Sequence, residues 1–457
     1  MTASVLAFAL LVMVPSGCAV QASSQTRSAL PTLDLKRAGN RMLFIAPHPD
    51  DEGLAGGGLI QQALKMGLDV RVVVLTAGDA SEGAAREFSG RSGCTALDYR
   101  TMGDARMQET RDAVRTLGLP PGKVIFLCYA DGSLNSLWDV DWDYNHLHVG
   151  RNGVNHSPYP FAYEKNAAYC GSNVVKNLTS IFGDYKPDWV VYPDEDDAHH
   201  DHWAANAFVQ YVVVRSGYGG GEYTYLVHRQ DYPNPRSYAP LRNLSVPPAL
   251  EHFETNWRNL PLSRNEEDVK ELAVKAYVIP RMVKDSFVQS FVRRNEIFGV
   301  AYPVKPKHIG STRPVFTGAR MPCVVERDPA GDGLRPPTGG DLRTVSVGIG
   351  DSRVYMAVET AGSIPGNLTY EFRMRVFKGK TVDRYDIGVR EGRASCQRFA
   401  SNSVVLKGRI PVGVRANRLW ISLPGLVFDG AGTCLMSVDC MEGRYRLDRT
   451  AWRRLVI

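Results

Sequence analysis

Two apolar, β-rich runs in the first half of the chain each lead into a short cluster of histidines and carboxylates. The first run, residues 42–46, precedes Pro-His-Pro-Asp-Asp-Glu at 47–52, and the second, residues 189–192, precedes His-His-Asp-His at 199–202. Both runs have the length and composition of buried strands. Ligands of open α/β sheets collect at the carboxyl ends of the strands, so neighbouring strands would bring the two clusters together. The pattern predicts one shared metal site.

The residue types in the two clusters suit a catalytic zinc ion. Such an ion keeps three protein ligands, often imidazole nitrogens and carboxylate oxygens, and leaves a fourth position open. Asp50 and Asp51 are adjacent, so in an extended or turn segment they cannot both point at one metal, and one of them is free to act as a base. A zinc ion also lowers the pKa of a bound water to roughly 7. The predicted chemistry is hydrolysis of an amide or an ester.

Other interpretations of the same residues remain open at this point. Either cluster alone is also compatible with a polar turn or a helix N-cap. The four acids at 194–197 suggest a calcium loop, but they lack the alternating spacing of an EF-hand. A structural zinc site would be closed by four protein ligands, mostly cysteines, and no cysteine lies near either cluster.

The two clusters also carry a family resemblance. Residues 41 to about 300 resemble the PIG-L/LmbE-like zinc-dependent de-N-acetylases, whose signature is Ala-His-Pro-Asp-Asp-Glu after the first strand and a later His-Pro-Asp-His. This chain has Pro47 where the family usually has Ala, and His200 where it often has Pro. The resemblance implies removal of an acetyl group from an N-acetylated amino sugar.

Roles for individual residues follow from the resemblance. It implies that Zn²⁺, or Fe²⁺ in its place, is held by His48, Asp51 and His202. It implies that Asp50 is the general base, and that His199 stabilises the oxyanion or protonates the leaving amine. Weaker matches at Arg106 and Asp131 make these two residues candidates for substrate binding.

A long segment, residues 132–168, is rich in aromatic and polar residues and has no clear period. Loops of this length in a compact domain are often functional, and sugar rings pack on aromatic faces. We therefore predict that the segment forms a wall of the substrate cleft, with Trp138 and Trp142 as substrate-binding residues. The alternative is that these aromatics anchor a surface loop in the core.

The remaining chain predicts an α/β domain followed by a β-domain. Strand-like and helix-like segments alternate up to about residue 215, which predicts a Rossmann-like, mostly parallel sheet flanked by helices. A Pro/Gly-rich stretch and then short alternating runs with turn signals predict a junction and an all-β, sandwich-like domain. The predicted boundaries are a signal peptide at 1–22, a linker at 23–40, the deacetylase-like domain at 41–305, the junction at 306–340 and the β-domain at 341–457.

The amino terminus predicts export. An apolar run at 5–14, ended by Pro-Ser-Gly, has the length of a signal-peptide core rather than of a membrane span, and no second stretch is long enough to cross a membrane. The protein is predicted to be secreted, with possible lipid anchoring at Cys18. Export permits disulfides, and we predict bridges between Cys434 and Cys440 and between Cys323 and Cys396.

Charge is unevenly distributed along the chain. Residues 341–457 contain 19 Lys and Arg against 11 Asp and Glu, a net charge of +8, whereas the whole chain carries +6. This excess predicts contact with an anionic cell-surface polymer, or else a solvated Arg-rich face without a partner. Nucleic acid is a poor fit, because no basic helix or recognition motif accompanies the charge. Two further functions stay open: hydrolysis of an acyl amide on a secondary metabolite or thiol conjugate, and non-catalytic binding of carbohydrate or cell wall.

Overall fold

The structure is a computed structural model in which Pro31–Ile457 form one structural unit. It describes residues 30–37, 39–251, 255–309, 323–332 and 339–457. The predicted signal peptide, Cys18 and the first part of the predicted linker, residues 23–29, lie outside the described residues. No helix in the described ranges combines the length and the apolar character needed to cross a membrane.

A seven-stranded sheet forms the centre of the first domain, and it confirms the mostly parallel α/β architecture. Its strand order is β3-β2-β1-β4-β5-β7-β6. All pairings are parallel except those of β7, which is antiparallel to β5 and β6. The strands are β1 Arg41–Ala46, β2 Asp69–Thr76, β3 Val124–Tyr129, β4 Trp189–Pro193, β5 Gly221–Tyr225, β6 Arg258–Pro261 and β7 Asn295–Val300.

The two strands that precede the histidine clusters are neighbours in this sheet. Strand β1 pairs in parallel with β4, with Met42 opposite Trp189 and Phe44 opposite Val191. The chain first adds β2 and β3 on one side of β1 and then adds β4 and β5 on the other. This topological switch point is where open α/β sheets bind ligands, so the predicted meeting of the clusters is confirmed.

Helices cover both faces of the sheet. Leu43 and Ile45 pack with residues of α5 and α6 on one face. On the other face α1 approaches closely, because a Cβ on Gly56 would lie only 2.4 Å from the Phe44 ring. A capping box of Thr95 and Asp98 starts α3. The helices are α1 Asp51–Lys65, α2 Glu82–Ser89, α3 Ala96–Thr116, α4 Leu134–Asp139, α5 Gly171–Tyr185, α6 His200–Ser216, α7 Arg264–Lys275 and α8 Val278–Gln289.

The C-terminal part is all β, as predicted. One sheet has the order β15-β16-β11-β10-β8 with β9 on β10, and the other has β14-β13-β12-β17-β18 with β19 on β17. Their inward side chains form one shared core, as in a sandwich. Two of the strands, β8 and β9, lie within the segment predicted to be only a junction. The strands are β8 Lys307–His308, β9 Val324–Arg327, β10 Leu342–Ile349, β11 Arg353–Thr360, β12 Thr369–Lys378, β13 Thr381–Arg390, β14 Arg393–Gln397, β15 Val412–Arg415, β16 Arg418–Pro424, β17 Thr433–Glu442, β18 Tyr445–Arg449 and β19 Arg453–Val456.

Neither predicted disulfide is present, because all seven cysteines in the described part of the chain are free thiols. Cys434 and Cys440 lie on the same strand, β17, where six residues span ~20 Å. A disulfide requires Cα atoms roughly 4.4–6.8 Å apart. Both thiols are buried in the sandwich core.

Aromatic residues of the 132–168 segment pack between the two domains. Trp138 is fully buried, and its ring centroid lies 4.9 Å from that of Phe208 and 5.2 Å from that of Trp452 in the β-domain. Trp142 packs edge-on against Trp138 at 5.6 Å. The prediction that these two tryptophans line a substrate cleft is wrong, and the alternative that they anchor the segment in the core describes them correctly.

Ion pairs across the same interface use part of the positive charge of the β-domain. Asp139 forms ion pairs with Arg373 at 2.7 Å and with Arg446 at 2.6 Å. Arg454 pairs with Glu222 at 2.7 Å. The predicted anionic polymer partner would have to meet other basic residues, and that partner stays a prediction.

We expect Trp138→Ala to lower the free energy of unfolding by about 3–5 kcal/mol, since truncating a fully buried aromatic side chain leaves a cavity. The matched control is Leu97→Ala on α3, where the side chain is 67% exposed. Urea unfolding of the full chain measures both. Equal, small changes in the two variants would contradict the packing role of Trp138.

Candidate metal centre and active site

A buried arginine fixes the loop that follows β1. Arg106 on α3 donates from Nη2 to the Pro49 carbonyl at 2.8 Å and to Asp50 Oδ2 at 3.0 Å, and from Nη1 to the Gly78 carbonyl at 2.9 Å. Asp50 itself has φ 141°, a region that non-glycine residues rarely adopt. Arg106, which is predicted to bind substrate, borders the pocket, but its guanidinium N–H groups hold Asp50 and its loop.

Three donor atoms converge where β1 and β4 end. His48 Nδ1 lies 3.2 Å from His202 Nε2 and 3.4 Å from Asp51 Oδ2, and the latter two atoms are 3.2 Å apart. Ligands of a tetrahedral zinc ion with bonds of 2.0–2.1 Å are about 3.3–3.4 Å from one another. The Asp51 Oδ1 atom is buried and has no hydrogen-bond partner among the described residues. In spacing and donor chemistry the three residues fit a divalent metal ion.

Carboxylates contact the second ring nitrogen of each of the two histidines and orient both rings. His48 Nε2 lies 3.2 Å from Asp131 Oδ1 and 3.2 Å from Asp201 Oδ2, and His202 Nδ1 lies 3.2 Å from Asp197 Oδ2. Such contacts fix the tautomer and ring orientation of a metal-binding histidine. Asp131, predicted to bind substrate, borders the pocket and contacts His48. The orienting roles of Asp197 and Asp201 were not predicted, although both belong to the stretch that carries the second cluster.

Charges at the site favour a cation between the carboxylates and a base beside it. Burial lowers the pKa of His202, but the Asp197 and Asp51 carboxylates outweigh this effect and raise the pKa to about 9. Burial raises the pKa of Asp50 to about 6, against the opposing charge of Arg106. A carboxyl group with a pKa near the working pH suits a general base.

His199 presents a neutral ring to the pocket. Its Nδ1 accepts the Asp201 backbone N–H at 3.2 Å, which leaves the proton of the neutral ring on Nε2. Burial, with His48 and His202 nearby, lowers the pKa of His199 to about 4. Its ring centroid lies 4.6 Å from that of His48. The structure thus brings His199 to the same site as the three metal-fitting residues, with a hydrogen-bond donor available.

A fourth histidine at this site, His228, does not follow from the sequence motifs. It follows β5, and one of its nitrogens lies within 4.8 Å of donor atoms of His48, Asp51 and His202. Its backbone N–H donates to Asp197 at 3.0 Å, and its ring stacks on Phe287 with centroids 5.4 Å apart. A signal was available, because the stretch 223–228 is again a β-rich run that ends in histidine.

The pocket at this centre has one polar wall and one apolar wall. Its apolar wall comes from α8, and no residue of the 132–168 segment lines it. Helix α8 contains one non-helical residue, Lys284, at φ −139° and ψ 37°. The polar lining includes His48, Asp50, Arg106, Asp131, His199 and His228, and the α8 lining includes Ile279, Pro280, Val283, Lys284 and Phe287.

We expect Asp197→Asn to weaken metal binding by about 10–100-fold, since the carboxylate that orients His202 would become a neutral amide. The exposed Asp268→Asn on α7 is the control with the same chemical change. Competition of the full chain against a zinc-chelating dye measures both affinities. An unchanged affinity in Asp197→Asn would contradict the orienting role.

Comparisons with known proteins found similar sequences and structures. Residues 43–213 match the PIG-L family, described as GlcNAc-PI de-N-acetylase. The 1D-myo-inositol 2-acetamido-2-deoxy-alpha-D-glucopyranoside deacetylase of Corynebacterium kroppenstedtii is 30% identical over 174 residues, which cover 38% of this chain and 40% of that protein. The protein of the same name from Saccharomonospora viridis is 29% identical over 177 residues, which cover 38% and 58%. The chain therefore spans about two fifths of the first relative's length and less than two thirds of the second's.

Among solved structures, the N,N'-diacetylchitobiose deacetylase of Pyrococcus horikoshii is 19% identical. The match covers 59% of this chain and 87% of that one, with a TM-score of 0.36. A likeness of this size carries no argument about function.

Proposed function

From the PIG-L family domain that residues 43–213 form, we propose that this chain is a metal-dependent hydrolase that removes the acetyl group from an N-acetylated amino sugar. The observation that carries the proposal is the triangle of His48 Nδ1, Asp51 Oδ2 and His202 Nε2, with edges of 3.2–3.4 Å, beside the pocket-lining Asp50. The curated relatives are named as deacetylases of an acetamido sugar conjugate, which supports the substrate class.

His48, Asp51 and His202 would hold the metal ion. Two imidazole nitrogens and one carboxylate oxygen suit zinc, and they also suit iron(II). When bound, such an ion supplies Lewis acidity that polarises a carbonyl group and lowers the pKa of water. The carboxylates of Asp131, Asp197 and Asp201 would keep the two imidazoles oriented for binding it.

Asp50 is proposed to move the proton. Its carboxylate faces the pocket, takes a proton from the attacking water and returns it to the departing amine as the C–N bond breaks. Arg106 holds the carboxylate at 3.0 Å through Oδ2, which leaves Oδ1 for the proton. His199, with its proton on Nε2, is proposed to donate a hydrogen bond to the developing oxyanion.

Two finer parts of the proposal concern where the enzyme acts and on what. The apolar run at the amino terminus supports export, and an exported enzyme of this class would act on an extracellular glycan or glycoconjugate carrying N-acetylglucosamine. Anchoring through Cys18 and contact between the β-domain and an anionic cell-surface polymer belong to the same proposal.

Acetate release by the full, metal-loaded chain tests the proposal. The panel contains N-acetylglucosamine, its oligomers, its inositol conjugate and wall polymers, each with and without a chelator. We expect chelator-sensitive release of acetate and a new free amine from at least one member. No release from any member, with the metal bound stoichiometrically, would reject an N-acetylated amino sugar as the substrate.

A further inference from the structure

Three carboxylates cluster in the β-domain, outside the site described above. Asp328 directly follows β9, Asp332 lies four residues further along the chain, and Asp448 is on β18. One oxygen from each residue lies within 4.8 Å of the others. Like charges at this separation repel one another unless a cation or protons neutralise them.

One of the two buried members of this cluster, Asp328, has an oxygen without a partner. Asp328 is only 6% exposed, and its Oδ2 atom accepts no hydrogen bond from any residue that the structure describes. Within the described ranges, no Lys, Arg or His forms an ion pair with Asp328, Asp332 or Asp448. Burial, together with the charges of Asp448 and Asp332, raises the pKa of Asp328 well above its ordinary value. Buried carboxylates in proteins are normally paired or bound to a metal.

Backbone N–H groups hold Asp448 in place and leave its carboxylate able to accept further contacts. Asp448 is 5% exposed and accepts N–H groups from Leu342 at 2.7 Å and from Arg449 at 2.9 Å. Each carboxylate oxygen has two lone pairs, so both atoms retain one for a further contact. Asp448 is therefore held in place and still has acceptor positions free.

We propose that Asp328, Asp332 and Asp448 bind one hard divalent cation, with calcium as the best match. All donors are oxygens, which calcium prefers, whereas the His48 centre offers imidazoles that suit zinc. Calcium takes six to eight oxygen ligands in flexible geometry, so water and backbone carbonyls complete its shell. The two sites therefore differ in the metal that they select.

The location places this cation beside the stretch that leads to the second histidine cluster. The cluster lines a depression that is also lined by the 195–197 stretch, between β4 and the second histidine cluster. Arg453 already connects these sides, because it pairs with Glu195 at 2.5 Å and also with Glu326 on β9. A bound cation would neutralise the three carboxylates beside the stretch that contains Asp197, and it would stabilise the folded chain.

Calcium titration of the full chain, with its histidine centre already filled with zinc, tests the proposal. We expect one calcium ion per chain by calorimetry, and a rise in melting temperature on adding calcium. Asp328→Asn should abolish both effects. Asp332→Asn, at an exposed position that does not threaten folding, should weaken calcium binding at least about tenfold. The exposed Asp429→Asn in the same domain should keep the wild-type affinity.

Two results would overturn the proposal. In the first, calcium, magnesium and manganese change neither heat nor melting temperature in the wild type, and Asp328→Asn melts at the same or a higher temperature; Asp328 would then simply be protonated. In the second, the wild type binds calcium but all three variants bind it equally, which would place the ion elsewhere.

Discussion

Asp50→Asn is expected to keep its metal ion and to lose about 10²–10⁴-fold in kcat, the contribution that a positioned general base makes. An amide cannot take the proton of the attacking water, whereas its oxygen can still accept the hydrogen bond from Arg106. Asparagine also tolerates unusual positive φ angles better than alanine, and Asp50 stands at 141°. The variant therefore separates the loss of the base from distortion of the loop.

The measurement combines acetate release with metal analysis on the same protein sample. Glu82→Gln, an exposed residue at the start of α2, is the control for the loss of one carboxylate. Nearly full activity in Asp50→Asn would remove Asp50 as the base. Loss of both metal and activity would show instead that Asp50 supports the metal centre.

The sequence predicted the parts of the site that depend on strand order. Each histidine cluster follows a continuous apolar run, and such runs are read as buried strands. Once β1 and β4 are placed as neighbours at the switch point, the meeting of His48, Asp51 and His202 follows from the topology. The local sequence pattern and the sheet topology therefore both place the two clusters at one site.

Side-chain direction could not be predicted in the same way. Trp138 and Trp142 look equally suited to a sugar platform or to a core, and the choice depends on where the β-domain packs. Arg106 and Asp131 were placed near the substrate, yet they hold Asp50 and His48 because partners distant in sequence face them. His228 is brought to the site only by the crossover from β4 through α6 to β5.

The end of α8 depends on pairing within the sheet, which composition alone does not reveal. The apolar spacing from Glu267 to Phe298 is typical of a helix, but α8 ends at Gln289 and the last residues form β7. Strand β7 fills the place between β5 and β6, so its hydrogen bonds go to the sheet rather than along a helix. The sheet overrides the apolar periodicity of this segment.

His202→Ala is expected to abolish metal binding and, with it, acetate release. The side chain is fully buried and supplies one corner of the donor triangle, so removing it leaves two of the three proposed ligands, fewer than a catalytic zinc site keeps. Asp197 would lose its imidazole partner. It would keep the backbone N–H groups of Val227 and His228 at 2.9 and 3.0 Å, so the loop need not unfold.

His200→Ala is the matched control, because it makes the same substitution two residues earlier in the same cluster. The His200 side chain is exposed and its Nδ1 contacts Arg449 of the β-domain at 2.9 Å rather than the metal centre. Metal analysis should therefore give about one ion per chain in His200→Ala and below about a tenth of that in His202→Ala, with matching circular dichroism spectra. Because the two residues share a motif but face different partners, equal metal loss in both variants would mean that the cluster acts through the fold of α6 and not through coordination by His202.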